Sequence, residues 1–431
     1  MVSAVNISWL HPREELVETM RRIYRYRMTT TSGGNLSILD PDGGIWITPA
    51  RVDKGGLQPS DIVCVRPDGT KDGLHAPSSE FPFHREIYRR RADLKAIVHA
   101  HPGALVAFSI CRLLPETRVQ LLAHAVCGRV AYAPYACPGS EQLGRNIAET
   151  FAAGADCVML ENHGVVIGGR DLKDAFQRFE TLEFVAQTLV KAATIGDIQV
   201  LPADRLVERI LPEPGELAPA EPTNREKELR TQICRFVHRA YQQRLLISTA
   251  GSFSARIDAE QFLITPRRRD RLELEPLGLV RVTADACERG KRPSRTARLH
   301  AAIYRLHPEV GAIINAQPAN ASAFCVTKEV FNTHTIPESY VVLNDVAKLP
   351  HACVVADADR IAGEVSLARR PVVLIENEGA LVVGKSVLDA FDRLEVLEAT
   401  AEALVLRRPL GPLVPMPAAA IEELRRVFGV N

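Results

Sequence analysis

The sequence contains the same set of short motifs twice, and this repetition is the strongest constraint on its fold. Motifs of the first half recur 217 residues later near the start of the repeat, 216 later in its middle and 215 later near its end. An offset that drifts by only two residues over a whole domain indicates a duplicated module. The recurring pairs are Gly34-Asn35-Leu36-Ser37 with Gly251-Ser252-Phe253-Ser254, Ile47-Thr48-Pro49 with Ile264-Thr265-Pro266, Pro77-Ser78 with Pro293-Ser294, His84 with His300, Ile87-Tyr88 with Ile303-Tyr304, Glu161-Asn162 with Glu376-Asn377, and Asp174-Ala175-Phe176 with Asp389-Ala390-Phe391.

The pattern within one copy predicts a mixed α/β module. Apolar residues at helical spacing alternate unevenly with short β-prone runs that end at turn residues, and hairpin signals are present. This mixture favours a mixed, largely antiparallel sheet covered by helices. The predicted helices of the first copy cover 13–28, 83–90 and 172–191, and the predicted strands cover 45–49, 62–65, 96–102 and 157–160.

A proline-rich segment separates the two copies. Helical periodicity stops between 201 and 224, where five prolines and a glycine predict a stiff linker. We therefore expect a first domain over 1–200, a linker over 201–224 and a second domain over 225–431.

Composition excludes several classes of function. The chain has 53 basic and 52 acidic residues, so its net charge of +1 gives no electrostatic reason to bind nucleic acid or an anionic membrane. Nine cysteines without a C-x-x-C pair indicate reduced thiols rather than a disulfide framework. The first ten residues lack the pattern of a secretory signal. These features predict a cytoplasmic protein.

Two histidines at the end of an apolar run are the first candidates for chemistry. His99 and His101 are two residues apart in a predicted strand, so both imidazoles point to the same face. Three imidazoles and a carboxylate complete a coordination shell for Zn²⁺, and Mn²⁺, Fe²⁺ or Co²⁺ are also admissible. The chain offers His163 and Glu80 for the remaining positions. A buried histidine pair without a metal is the alternative.

The second copy has lost all four candidate ligands. Neighbouring residues that carry the fold are kept in kind, so a structural role alone does not explain the joint loss. We therefore expect the four residues of the first copy to share a task, and one metal per chain. The replacements are Thr296 for Glu80, Asn315 for His99, Gln317 for His101 and Glu378 for His163.

The first copy resembles the class II aldolase/adducin family, typified by fuculose-1-phosphate aldolase, over nearly all of 12–195. The resemblance implies two tandem α/β/α modules, the second degenerate, and a divalent metal held by His99, His101 and His163. It also implies that Glu80 is the fourth ligand at rest and the acid/base when substrate displaces it. The matching motifs are Gly34-Asn35-Leu36-Ser37, Ile47-Thr48-Pro49, Pro77-Ser78-Ser79-Glu80, His99-Ala100-His101-Pro102, Ala133-Pro134-Tyr135 and Asn162-His163-Gly164.

The same resemblance implies where the substrate anion is held. Hydroxyls and backbone amides near a glycine turn suit phosphate or carboxylate, and ordinary turn or cap residues are the alternative. One departure is Arg51, at a position where such aldolases often have glycine; its guanidinium would suit a carboxylate as well as a phosphate, or is simply exposed. The predicted substrate-binding residues are Asn35, Thr48, Arg51, Ser78 and Ser79.

The second departure concerns a tyrosine. The family's general-acid tyrosine follows an Ile-Pro signature and reaches into the adjacent subunit's site, but the first copy has no tyrosine there. The second copy has Tyr340 after Ile336-Pro337. We hypothesise that Tyr340 completes the first copy's site, in a homo-oligomer whose dimer forms a pseudo-tetramer of modules. Packing of Tyr340 at an interface is the equal alternative.

Together these features predict a metal-dependent carbon-carbon lyase. It would act through an enediolate or enolate on a hydroxy-keto sugar phosphate or acid, by aldol cleavage or decarboxylation. A dehydratase or epimerase could use the same chemistry. The alternatives from other classes are a non-catalytic adducin-like binding protein and a non-haem iron oxygenase. Loops such as 123–136 are expected to shape the pocket.

Overall fold

The computed structural model describes residues 10–206, 214–351 and 356–430. The chain divides into two compact units, the first from Met1–Thr117 and Ala123–Gln187, the second from Arg118–Leu122 and Thr188–Asn431. Part of the predicted linker, 207–213, lies outside the described residues. Within the described ranges, none of the helices combines the length and apolarity that crossing a membrane requires.

An eight-stranded sheet forms the centre of the first unit. Its strands are β1 (Asn35–Leu39), β2 (Ile45–Ile47), β3 (Val63–Val65), β4 (Lys71–Asp72), β5 (Ala96–Ala100), β6 (Val130–Ala133), β7 (Cys157–Leu160) and β8 (Val165–Gly169). They lie in the order β4-β3-β2-β1-β5-β8-β7-β6. Every neighbouring pair is antiparallel except the edge pair β6 and β7.

Helices cover both faces of this sheet. The helices of this part of the chain are α1 (Pro12–Arg25), α2 (Phe81–Arg90), α3 (Gly103–Ile110), α4 (Leu121–Cys127), α5 (Glu141–Ala152) and α6 (Leu172–Ile195). Because side chains alternate along β5, Ala96 and Val98 pack with α1 and α6, whereas Ile97 packs with α2 and α5. The predicted α/β/α layering is confirmed.

The second unit contains a nine-stranded sheet. Its strands are β9 (Gly215–Leu217), β10 (Ser252–Arg256), β11 (Phe262–Ile264), β12 (Val280–Val282), β13 (Ala286–Glu288), β14 (Ala312–Ala316), β15 (Ala347–Leu349), β16 (Val372–Ile375) and β17 (Gly379–Gly384). The helices are α7 (Asn224–Gln242), α8 (Ala297–Leu306), α9 (Ala319–Cys325), α10 (Pro337–Leu343), α11 (Ala358–Glu364), α12 (Val387–Leu406) and α13 (Ala418–Phe428).

The two sheets have the same topology. The second sheet runs β15-β16-β17-β14-β10-β11-β12-β13-β9, which repeats the order of the first with β9 added at one edge. The register repeats too: Asn35 pairs with His99 between β1 and β5, and Ser252 pairs with Asn315 between β10 and β14. The predicted duplication of the fold is therefore confirmed down to individual residue pairs.

Some elements differ from the sequence-based prediction. The expectation that 123–136 form loops was wrong, because α4 and β6 occupy most of that segment. Helix α5 was not predicted, although the spacing of Leu143, Ile147 and Phe151 and the Ser140 cap indicate it; the Ser140 hydroxyl accepts a 3.2 Å hydrogen bond from the Leu143 amide.

Candidate metal centre

Strand β5 delivers the first two histidines to the end of the sheet. His99 is its penultimate residue and is fully buried, and His101 follows the strand directly. The His99 ring is fixed by Nδ1, which donates a 2.9 Å hydrogen bond to the Val165 carbonyl on β8. This hydrogen bond leaves Nε2 as the ring atom that faces His101, with 3.1 Å between the two Nε2 atoms.

The third histidine comes from the turn between β7 and β8. Asn162 adopts a left-handed conformation with φ of 53° and directs the chain back toward β5. The His163 amide donates a 2.9 Å hydrogen bond to the Ser109 hydroxyl, which in turn donates to the Leu160 carbonyl. The loop that carries the third imidazole is thus tied to α3 and β7.

A glycine lets this turn approach β5. A Cβ atom at Gly164 would lie 2.6 Å from both the Ala100 carbonyl oxygen and Cδ2 of His101. Contacts this short are sterically excluded, so only glycine fits beside the imidazole at this position.

The three imidazoles form one compact group. The ligand atoms of His99, His101 and His163 all lie within 4.8 Å of one another. Among residues 10–206, 214–351 and 356–430, this is the group of three or more metal-binding side chains that the structure brings together. The predicted histidine ligands therefore converge as the sequence indicated, and they can hold a metal ion.

Glu80 closes the fourth side of this group. It is the residue that precedes α2, is 8% exposed, and its side chain makes no capping hydrogen bond to that helix. Glu80 Oε2 lies 3.1 Å from His99 Nε2, and Oε1 lies 3.9 Å from His163 Nε2. Asn35 Nδ2 donates a 2.8 Å hydrogen bond to Oε2. The carboxylate thus lies against two of the three imidazoles.

Burial and mutual charge shift the pKa values of the four groups in different directions. Burial alone would raise the pKa of Glu80, but His99 and the hydrogen bond from Asn35 outweigh burial and hold that pKa well below its usual range. Burial and the His99 charge lower the pKa of His101 to about 3 and that of His163 to about 4. His101 and His163 are therefore neutral, the state in which imidazoles bind metals. Burial alone would lower the pKa of His99, but the ionised Glu80 outweighs burial and raises that pKa, so His99 would give up its proton when a metal binds.

One unsatisfied atom tests whether a metal fits. Within the described residues, the buried Glu80 Oε1 has no hydrogen-bond partner. An anionic oxygen without a donor is costly in a buried site unless a cation compensates it. Together with three imidazole nitrogens, this oxygen gives the donor set of a four-coordinate divalent ion.

The predicted substrate-binding residues fall into two groups. Asn35, Thr48 and Ser78 are buried and already have partners. Asn35 donates to Glu80, Thr48 Oγ1 accepts from the Leu36 amide at 3.2 Å, and Ser78 Oγ accepts from the Glu80 amide at 3.2 Å. Ser79 is exposed, and so is Arg51, which has a left-handed backbone with φ of 58°. The exposed pair remains available to a ligand in solution.

The predicted general acid lies in the second unit. Tyr340 is on α10 and 2% exposed, and its hydroxyl accepts a 2.7 Å hydrogen bond from Arg425 Nε on α13. Its assignment to the first copy's site stays a prediction.

Sequence reasoning missed the residues behind Glu80. Ser37, His84 and Tyr88 form a buried hydrogen-bonded chain that leads to Asn35. The recurrence of His84 as His300 and of Tyr88 as Tyr304 was the available signal, but the repeat alone did not show what these residues contact.

Comparison with known proteins finds one family that matches both halves of the chain. The family described as class II aldolase and adducin N-terminal domain matches residues 14–190 and again 231–405. A 5-deoxy-D-ribulose 1-phosphate aldolase of Bacillus thuringiensis serovar kurstaki is 34% identical over 197 residues, which are 45% of this chain and 91% of the relative. A 3-oxo-tetronate 4-phosphate decarboxylase of Escherichia coli K12 is 33% identical over 202 residues, 46% of this chain and 93% of the relative.

The solved structures that are similar to this chain include L-fuculose-1-phosphate aldolase from Thermus thermophilus. Its identity is 26% and its TM-score 0.37, and the match covers 41% of this chain and 92% of that chain. The two family matches span most of the chain, once in each copy. This chain belongs to the class II aldolase and adducin family, and its relatives include aldolases and decarboxylases.

Proposed function

We propose that the first unit is a divalent-metal-dependent carbon-carbon lyase. The observation that carries this proposal is the placement of Glu80 Oε2 3.1 Å from His99 Nε2, within a group of three converging imidazoles. The second unit, which has Thr296, Asn315, Gln317 and Glu378 at the corresponding positions, serves as a non-catalytic partner.

His99, His101 and His163 would hold the ion, and zinc is the preferred candidate because three imidazoles and a carboxylate suit its tetrahedral shell; manganese, iron and cobalt are the alternatives. Such an ion supplies a Lewis acid that polarises a substrate carbonyl. Glu80 supplies the proton transfer. Its carboxylate is ionised and has one oxygen without a donor, so it can accept a proton from a substrate hydroxyl and return one to carbon.

We propose a phosphorylated sugar or sugar acid as the substrate. The aldolase and the decarboxylase relatives are both named for phosphorylated substrates of four or five carbons. Ser79 adjoins Glu80 in the sequence, and Arg51 follows Ala50, whose amide donates a 3.0 Å hydrogen bond to the Ala76 carbonyl; both side chains are exposed and offer a hydroxyl and a guanidinium for an anion. Arg51 also suits a carboxylate, which keeps decarboxylation beside aldol cleavage as the reaction.

Tyr340 distinguishes these two reactions in part. Its hydroxyl accepts from Arg425 and so keeps its own proton for donation. In a dimer that arranges four modules as a pseudo-tetramer, Tyr340 would protonate a departing aldehyde at the first unit of a partner subunit. Loss of CO₂ does not require that proton, so a decarboxylase would tolerate Tyr340→Phe whereas an aldolase would not.

A reducing compartment suits this protein. Cys64, Cys127, Cys157 and Cys325 are buried in the described part of the chain and are free thiols. Proteins of oxidising compartments tend to pair such thiols. We propose the cytoplasm as its location.

The experiment is a metal analysis followed by a substrate screen. Protein purified without added metal is assayed for bound metal and reloaded with zinc, manganese or iron. It is then incubated with sugar phosphates and keto acids, with and without O₂, while aldehyde and CO₂ are measured. We expect one metal per chain and release of one of the two products. No bound metal and no turnover would establish the binding alternative, and product formation only with O₂ would establish the oxygenase.

A further inference from the structure

A continuous hydrogen-bonded chain runs from the interior of the first unit to Glu80. The hydroxyls of Tyr88 and Ser37 form a 2.7 Å hydrogen bond, and Ser37 Oγ lies 2.7 Å from His84 Nδ1. His84 Nε2 lies 2.5 Å from Asn35 Oδ1, whose Nδ2 reaches Glu80 Oε2 at 2.8 Å. All five side chains are buried, with exposures between 0% and 8%.

The direction of every hydrogen bond in this chain is determined. A carboxylate only accepts, so Asn35 presents its NH₂ group to Glu80 and its oxygen to His84. That oxygen needs a donor, so His84 carries its proton on Nε2. A neutral imidazole has one N–H, so Nδ1 accepts from the Ser37 hydroxyl, and the Ser37 oxygen accepts from Tyr88.

Burial supports this protonation state. His84 is fully buried, and burial together with the charge at His99 lowers the pKa of His84 to about 3. The imidazole is therefore neutral at physiological pH, and Ser37 fixes which of its nitrogens bears the proton.

The second unit shows which part of this chain belongs to the fold. There Tyr304 and Ser254 join at 2.7 Å, Ser254 lies 2.7 Å from His300 Nδ1, and His300 Nε2 lies 2.6 Å from Asn315 Oδ1. The tyrosine, serine and histidine are kept, yet the amide that receives the imidazole proton is on β14, at the position of His99. Thr296 replaces Glu80.

The amide that binds the imidazole is therefore on different strands in the two units: Asn35 is on β1, whereas Asn315 is on β14, the equivalent of β5. In the first unit it stands between the imidazole and the carboxylate; in the second unit it occupies a former ligand position. The tyrosine–serine–histidine segment persists without a metal, so it stabilises the fold in both units. In the first unit the same segment also orients the Asn35 amide toward the Glu80 carboxylate.

We propose that His84 is a positioning residue: it fixes the Asn35 amide in the orientation that holds Glu80 against the histidine group, for both metal binding and proton transfer. This inference rests on the proposed function for its catalytic part. Outer partners of metal ligands typically contribute about 10- to 100-fold to affinity or activity.

The test compares matched substitutions in the two units of the whole 431-residue chain. His84→Phe removes the N–H donor, His84→Gln restores an amide donor, and His300→Phe makes the first change in the second unit. Zinc affinity is measured by competition with a chromophoric chelator, and kcat and KM are measured with the accepted substrate. We expect His84→Phe to lower zinc affinity and kcat by about 10-fold or more with little change in KM, His84→Gln to recover most of the loss, and His300→Phe to change neither.

Equal effects of His84→Phe and His300→Phe, or no recovery in His84→Gln, would overturn the proposal, since both describe a purely structural histidine. If the wild-type protein binds zinc but turns over no substrate, the proposed reaction fails while zinc affinity still decides the role of His84. Should His84→Phe not fold, Ser37→Ala and Ser254→Ala replace the pair. Ser37→Ala removes the hydroxyl that fixes which nitrogen of His84 carries the proton. We therefore expect Ser37→Ala to lower zinc affinity and Ser254→Ala to leave it unchanged.

Discussion

The two units share one backbone and differ in what they place on it. Left-handed residues occur at equivalent points of both, Arg51 with Arg268 and Asn162 with Asn377. The strand order and the β1–β5 register recur as well. These features set where the chain turns, whereas the side chains at the end of β5 and β14 are free to change. The comparison therefore separates the residues that both folds share from the histidine group, which the first unit has and the second has replaced.

The two units also differ in the basic residue buried at one equivalent position. Lys54 in the first unit and Arg271 in the second are both almost fully buried behind the turn that precedes β1 or β10. Lys54 donates to the Pro49 carbonyl, whereas Arg271 donates to five carbonyls including that of Pro266. The degenerate unit fixes this turn with more hydrogen bonds than the unit that holds the histidine group.

The largest effect is expected from transferring the second unit's residues into the first. The double variant His99→Asn/His101→Gln copies Asn315 and Gln317 and removes two of three imidazoles. We expect loss of stoichiometric metal and a fall in kcat/KM on the order of 1,000-fold or more, since a Lewis acid contributes several kcal/mol. Metal analysis and steady-state kinetics measure both.

The matched control is Gln317→Ala, which should leave metal content and kinetics unchanged. Retention of one metal per chain by the double variant would show that the ion is bound elsewhere and would remove the basis for distinguishing the units.

Glu80→Gln is expected to have the next largest effect. The amide keeps the shape of the side chain and can still accept from Asn35, but it no longer takes up a proton. General acid–base groups contribute about 100- to 10,000-fold, so we expect kcat to fall by at least about 100-fold while the three imidazoles still bind metal. A variant with kcat within about threefold of wild type would exclude Glu80 as the acid/base.

The sequence alone was sufficient to predict the duplication and the histidine group. Strand alternation places His99 and His101 on one face, and the second copy has other residues at both equivalent positions. The sequence was not sufficient for the hydrogen-bonded chain behind Glu80. That chain joins β1 to α2 across 45–51 residues, and only the packing of α2 on the sheet brings its members together. Helix α3 was missed because its residues are apolar on all sides and give no helical period.

Glu378 gives a pH-dependent effect confined to the second unit. This carboxyl stands where the first unit has His163, and burial raises its pKa to about 7, opposed by Arg295. A raised carboxyl pKa means that the folded state binds the proton more tightly, so stability falls as pH rises from about 4.5 to about 7. We expect Glu378→Gln to raise the free energy of unfolding at pH 8 by up to about 3 kcal/mol and to change it little at about pH 4.5.

Urea denaturation at the two pH values measures this difference, with the exposed Glu260→Gln as the control. An equal effect of Glu378→Gln at both pH values would show that the cost is one of packing rather than of charge.

The smallest effect is expected from alanine at the glycines beside the third ligand position. At Gly164 a Cβ atom would lie 2.6 Å from His101 Cδ2 and from the Ala100 carbonyl oxygen; at Gly379 it would lie 2.6 Å from the Ala316 carbonyl oxygen and 3.0 Å from Gln317 Cγ. Both substitutions overpack the equivalent turn of their unit, so each should cost about 1–3 kcal/mol of stability. Gly379→Ala adds backbone strain, because Gly379 has a φ of 142° that residues with a side chain rarely adopt. Only Gly164→Ala displaces an imidazole, so we expect it alone to weaken zinc binding, by about 10-fold. Equal zinc affinities in the two variants would mean that this turn is a requirement of the fold in both units, and that the first unit gains nothing from it in positioning His101.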